Sequence, residues 1–175
     1  EISDYEEEMI SSLQRPITIV KKSTSYALSS HISYESGFVG VFLPYNAIYE
    51  ILFSMIDFAL VATSANISDE PIETCEKAIF ARLGEAFDYA LYYDRVIVQG
   101  CDDSVVRAAG DIMIKLRNSR GYAPYFFKAE SFKNQVFCAG AHQKNCFSFC
   151  FDDNIAISSH IGDLGSLDAQ EYYES

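Results

Sequence analysis

An α/β domain followed by the opening strands of a second domain is the fold class this sequence predicts, on three features. Strand-type and helix-type periods alternate from Phe38 to Tyr93. From Val96 short apolar runs joined by turn residues take over, and the aperiodic polar stretch Lys128–Asn134 then interrupts the chain before three more strand-like runs. Apolar residues make up 49% of the 175 positions, enough for a real core. With no run of 18 apolar residues and no signal sequence, a soluble, cytoplasmic chain without a membrane partner is expected. The net charge of -12 argues against double-stranded RNA and other nucleic-acid backbones, whose affinity comes from clustered cations.

From the amino end, Asp4–Leu13 carries acids early and Met9, Ile10 and Leu13 at helical spacing, which predicts a short amphipathic helix closed by Gln14-Arg15-Pro16. Ile17–Lys22 reads as a strand, and the Ser- and Tyr-rich Ser23–Gly37 as a loop. Phe38–Leu43 is a second strand ended by Pro44. Asn46 then caps a helix over Ala47–Ile56, with Ile48, Ile51, Leu52 and Met55 as a core stripe. F-A-L-V-A at Phe58–Ala62 reads as a buried strand, Glu73–Gly84 as a helix stopped by its glycine, and Tyr89–Tyr93 as another strand. Ser104–Ala109 and Ile112–Leu116 flank Gly110-Asp111 as a hairpin.

The domain boundary is placed at 128–134, after a first domain over 1–127. Gln135–Ala139, Cys146–Phe151 and Asn154–Ser159 are the strands of a truncated second domain over 135–175. The chain starts without Met and stops in a continuing pattern, so it reads as a piece of something longer. Its five cysteines are odd in number and include no C-x-x-C pair, so neither a disulfide framework nor a zinc ribbon follows. Cys146 and Cys150 are expected on one strand face as small core residues.

Four stretches could carry chemistry. A-T-S-A-N-I-S-D-E-P-I, Ala62–Ile72, follows a strand-like run, where open α/β sheets place ligands. Ser64 and Asn66 lie two apart and can offer a hydroxyl and an amide to one ligand group; taken alone, the same pair more often bonds its own backbone in a turn. Asp102–Arg107 is either a capped turn or, through Arg107, part of an anion site. In Leu116–Pro124, Arg117 and Arg120 suit phosphate oxygens beside Gly121, or form a solvated turn. With Lys115 and Arg107 they concentrate four of the 13 cations, a patch suited to a small polyanion. The fourth stretch is Gly140–Asn145 with His160–Asp163, where His160 alone reads as a satisfied or surface histidine.

L-P-Y at Leu43–Tyr45, T-S-A-N-I-S-D-E-P-I at Thr63–Ile72, D-D-S-V-V-R at Asp102–Arg107, L-R-N-S-R-G-Y-A-P at Leu116–Pro124 and S-H-I-G-D-L at Ser159–Leu164 stand in a specific order and spacing. Together they resemble the HypF family, the carbamoyltransferases of nickel-iron hydrogenase maturation. The resemblance implies a YrdC-like twisted mixed sheet with helices, followed by the first strands of an actin/Hsp70-like ATPase-type domain related to TsaD. It implies an ATP-dependent carbamoyltransferase that takes carbamate from carbamoyl phosphate, condenses it with ATP to carbamoyl adenylate, and passes the carbamoyl group to the C-terminal cysteine of a partner protein, HypE. This piece alone is expected to be inactive.

Under the same resemblance Ser64, Asn66, Ser104 and Arg117 bind the adenylate, Arg107 and Arg120 support them, and Lys144 and Asn145 are nucleotide contacts of the second domain. ATP and Mg2+ are the implied cofactors, with Asp102 or Asp103 holding the magnesium through water. No general base is assigned, since a carbamate is already anionic. The family's Lys-x-Arg element would precede residue 1, Gln99-Gly100 stands where the family usually has an Arg, and the metal-binding residues of its carboxy-terminal domain lie further along. The nearest alternative is a threonylcarbamoyl-adenylate synthase of tRNA modification, disfavoured by the D-E-P-I and R-G-Y-A-P blocks. The other is a non-catalytic YrdC-like module that holds RNA or a protein.

Overall fold

The computed structural model describes residues 2–23, 25, 28, 29, 31–68, 70–130 and 132–174. It is a mixed α/β structure that divides into two compact units, Glu1–Leu60 with Asp103–Tyr122, and Val61–Asp102 with Ala123–Ser175.

In the first unit, helix α1 (Asp4–Ser11) opens with a capping box: Ser3 Oγ accepts from the Glu6 amide at 3.2 Å, and the Glu6 carboxylate accepts from the Ser3 amide at 2.7 Å. Asp4, Glu6 and Glu7 complement the positive end of the helix. Met9 and Ile10 are buried, whereas Leu13, expected to join them, lies past the helix end and is fully exposed. Strands β1 (Ile17–Lys21), β2 (Phe38–Val41), β3 (Val105–Ala109) and β4 (Ile112–Arg117) form a sheet in the order β2-β1-β3-β4, with only β1 and β3 parallel. Thr18 and Val106 share a rung and are both shut off from water, and α1 packs over β1 and β3. The β3–β4 hairpin turns at Gly110, whose φ of 62° a glycine adopts without strain.

Helix α2 (Ala47–Met55) starts where Asn46 predicts it, with Oδ1 accepting from the Tyr49 amide at 2.9 Å. Its stripe is not core. Ile48, Ile51, Leu52 and Met55 are all exposed, because helical period marks a face as apolar without naming what covers it. The same correction applies to Phe58–Ala62 and Tyr89–Tyr93. Neither forms a strand, and Phe58, Val61, Tyr89 and Leu91 are exposed; strand-forming composition yields a strand only where a ladder partner is present. The described residues of 23–37 form neither helix nor strand, while Thr24, Tyr26, Ala27 and Ser30 of that expected loop lie outside the described residues.

In the second unit, helix α3 (Glu76–Leu83) starts later than the sequence predicts, since Glu73–Cys75 are not helical, and ends at Gly84. Strands β5 (Tyr125–Lys128), β6 (Val136–Cys138), β7 (Ser148–Phe151) and β8 (Asn154–Ile157) form an antiparallel sheet in the order β5-β8-β7-β6, and α4 (Leu167–Glu174) follows. Sequence reasoning assigned no element to β5 or α4. Cys150 is buried in β7, but Cys146 precedes the strand and is exposed, so the strand alternation does not extend to it. Among the described residues no helix is long and apolar enough to cross a membrane.

Gly121 gives the first testable consequence. Its φ is +88°, and a Cβ there would lie 2.9 Å from both Cβ and the carbonyl oxygen of Gln14. Gly121→Ala therefore combines backbone strain with a clash against main chain. A loss of about 2 kcal/mol or more in urea unfolding is expected.

Candidate functional site

The Ala62–Ile72 loop, in the second unit, is closed by its own side chains. Ser64 Oγ donates to Asn66 Oδ1, and Asn66 Nδ2 donates to the carbonyls of Ile67 and Glu70, each at 2.9 Å. Backbone bonds reinforce the turn, from the Glu70 amide to the Ile67 carbonyl and from the Glu73 amide to the Ala65 carbonyl, each 3.0 Å. Asn66 thus spends its whole amide on holding the loop, while Ser64 stays exposed beside it. Asp69, in the D-E-P-I block, lies outside the described residues.

Ser104, Arg107, Arg117 and Arg120 belong to the first unit. Ser104 is fully buried; its hydroxyl accepts from the Ser119 amide at 2.8 Å and its carbonyl from the Ile17 amide at 2.8 Å. Arg107 is exposed on β3 with its guanidinium 4.3 Å from the centre of the Phe38 ring, and Arg117 ends β4. Arg120 is the most engaged. Its Nε donates to Asp103 at 2.7 Å, its terminal nitrogens donate to the carbonyls of Gln14 at 3.0 Å and Arg15 at 2.9 Å, and its plane lies 3.5 Å from the centre of the Tyr45 ring. Three of the sequence blocks, those of Tyr45, Asp103 and Arg120, therefore meet in one cluster. Burial first, then the charge of Asp103, pushes the Tyr45 phenol well above its ordinary pKa, so it stays neutral. Tyr122 donates to the Met113 sulfur at 3.5 Å, with the Lys115 ammonium 4.6 Å from its ring centre.

The 140–145 turn is tied to 161–164. Asn145 and Gly162 form a bridge, Asn145 is buried, and its Nδ2 donates to the Ala141 carbonyl at 2.6 Å. Lys144 takes a φ of 51°; its amide donates to Asp163 Oδ1 at 2.7 Å and its ammonium lies 3.3 Å from the same oxygen. The Lys144 amide, more than its ammonium, holds the Asp163 carboxyl below the usual range. The stabilisation is present above the unfolded carboxyl pKa of about 4 and is lost as pH falls through the lower folded value. Asp163→Asn should thus be less stable than the parent at pH 7 and lose less on acidification; urea midpoints at the two pH values check this.

Arg82, Glu70 and Glu73 were not singled out from the sequence. Arg82, in the last turn of α3, bonds Glu70 and Glu73 and lies 3.4 Å from Asp168. An arginine nine residues after one glutamate and twelve after another leaves no periodic trace, so only the fold reveals the cluster. Beside it opens a cleft of about 570 Å³ lined by Ile72, Glu73, Arg82, Gln99, Asp168 and Tyr172. With its arginine paired, that cleft is acidic and poorly suited to phosphate.

The donors implied for magnesium do not fit it. Asp103 is taken by Arg120, Asp102 faces the His160 ring at 4.0 Å, and among the described residues no three His, Cys, Asp or Glu side chains gather as a metal set.

Comparison with known proteins covers the chain in two parts. A Sua5/YciO/YrdC family model, described as telomere recombination, matches residues 1–119, and one described as the HypF Kae1-like domain matches 131–175. The chain is 34% identical over 96% of its length to the probable carbamoyltransferase HypF of Methanocaldococcus jannaschii, and 30% identical over 98% to the carbamoyltransferase HypF of Synechocystis. It spans 22% and 23% of those relatives. A crystal structure of full-length HypF in the phosphate- and nucleotide-bound form matches 99% of the chain with a TM-score of 0.93 at 34% identity, the chain covering 28% of it. HypF of T. kodakarensis matches the same 99% with a TM-score of 0.92 at 29% identity, 23% of it covered.

Proposed function

We propose, from the premise that this chain belongs to the Sua5/YciO/YrdC family in the form carried by HypF proteins, that it serves a carbamoyltransferase of hydrogenase maturation. The observation that carries the proposal is that one continuous match to HypF runs through both the YrdC-like and the Kae1-like parts. The proposed reaction uses carbamoyl phosphate and ATP. Hydrolysis of carbamoyl phosphate gives carbamate and phosphate; a carbamate oxygen then attacks the α-phosphorus, pyrophosphate leaves, and a cysteine thiol of HypE takes the carbamoyl group from the adenylate, releasing AMP and a proton.

The chain's part in that chemistry is binding and positioning. Asn66 fixes the loop that presents Ser64, and a nucleotide oxygen entering there competes with Asn66 Oδ1 for the Ser64 hydroxyl proton. Arg107 and Arg117 supply positive charge for the phosphates, while Arg120 with Ser104 holds the framework around Asp103 and Ser119. Lys144 and Asn145 are the second-domain candidates, Asn145 by shaping its turn and Lys144 by its ammonium.

The test is to incubate the full-length chain with ATP and either labelled carbamoyl phosphate or labelled threonine plus bicarbonate, and to separate the adenylates. Label from carbamoyl phosphate in an adenylate is the expected result. Label only from threonine would move the chain to tRNA modification, and label from neither would favour a binding module.

A further inference from the structure

We infer that Arg82 is a positioning residue for the Ala62–Ile72 loop, acting through Glu70 and Glu73; its link to nucleotide binding rests on the function proposed above. One guanidinium serves two carboxylates. Nη2 donates to Glu70 Oε2 and Nη1 to Glu73 Oε1, on either side of Pro71. The side chains of Glu70 and Glu73 are 24% and 14% exposed and that of Arg82 32%, so water screens the group only in part.

Each glutamate is also a backbone anchor of the loop. The Glu70 carbonyl accepts the Asn66 amide and the Glu70 N–H returns to Ile67, while the Glu73 N–H reaches back to Ala65. The path from α3 to Asn66 is therefore two residues long: guanidinium to carboxylate, then main chain of the same residue to the S-A-N turn. Arg82 itself is held by the last turn of α3, where a cation also suits the negative end of the helix. Asp168 adds a third carboxylate at 3.4 Å. Without the guanidinium, Glu70 and Glu73 face each other across Pro71 as like charges and the segment between them is pushed open. Arg82→Lys restores charge but not the two-nitrogen fork, so it should recover the loop only in part.

The experiment uses the full-length chain with Arg82→Ala, Arg82→Lys, Asn66→Ala and the Arg82→Ala/Asn66→Ala pair, with ATP as probe. Two quantities are read: hydrogen exchange of the Glu70 and Glu73 amides, and ATP affinity. The expected result is at least tenfold faster exchange at those amides in Arg82→Ala, about tenfold weaker ATP binding, partial rescue by lysine, and a pair no weaker than Asn66→Ala alone. Unchanged exchange would overturn the inference whatever happens to binding. So would faster exchange with ATP affinity intact in Arg82→Ala but lost in Asn66→Ala, or losses that simply add in the pair. Faster exchange with ATP affinity intact in both single variants would uphold the loop fastening and sink the nucleotide reading instead.

Discussion

Arg120→Ala is expected to lower the unfolding free energy by about 3 kcal/mol, the largest stability effect of any single substitution considered. The guanidinium makes one ion pair with Asp103, caps the Gln14 and Arg15 carbonyls, and lies over the Tyr45 ring. Truncation leaves Asp103, whose side chain is 25% exposed, with a carboxylate mostly out of water and without its Arg120 partner. Two carbonyls in the connection between α1 and β1 lose their donors as well. Arg120→Lys keeps the charge but can reach only one or two of these partners, so about half the loss should remain. Urea unfolding of both variants checks this. A loss below about 1 kcal/mol for alanine would mean that the cluster is no better than an exposed pair.

Asn66→Ala is expected to weaken ATP binding by about two orders of magnitude while leaving the sheets intact. The side chain makes both amide donations that close the loop and accepts the Ser64 hydroxyl. Removing it frees three groups at once, and Ser64 loses the partner that orients it. Ser64→Ala deletes one hydroxyl and should cost nearer tenfold. Calorimetric titration of the full-length chain with ATP separates the two; equal, small losses would show that the loop does not meet the nucleotide.

Local signals in the sequence were read well wherever the chain supplies its own partner. Asn46 marks a helix start because its cap acts within three residues, Gly84 stands where α3 ends although its own backbone stays right-handed helical at φ -59°, and the β3–β4 hairpin follows from Gly110. Faces were read less well. Ile51 and Met55 in α2, and Phe58 and Tyr89, have core-type patterns but exposed side chains, since a pattern records preference for a partner and not its presence. The strand β5 went unseen because Tyr125–Lys128 is only four residues long and sits directly after Pro124.

The site divides the same way. Ser64 and Asn66 were visible as a pair, two residues apart, and the structure joins them by a hydrogen bond. Arg120 was visible as a cation, but its binding to the connection between α1 and β1 spans more than a hundred residues and leaves no local mark. Arg82 was missed for the same reason on a smaller scale.

Pyrophosphate release from ATP by the full-length chain, with carbamoyl phosphate as the only other substrate, tests the central claim most directly. The expected result is release that depends on carbamoyl phosphate and falls at least a hundredfold in Asn66→Ala. Release undiminished in that variant would place the chemistry away from the Ala62–Ile72 loop, and no carbamoyl-phosphate-dependent release from the unsubstituted chain would contradict the assignment of carbamoyl adenylate formation.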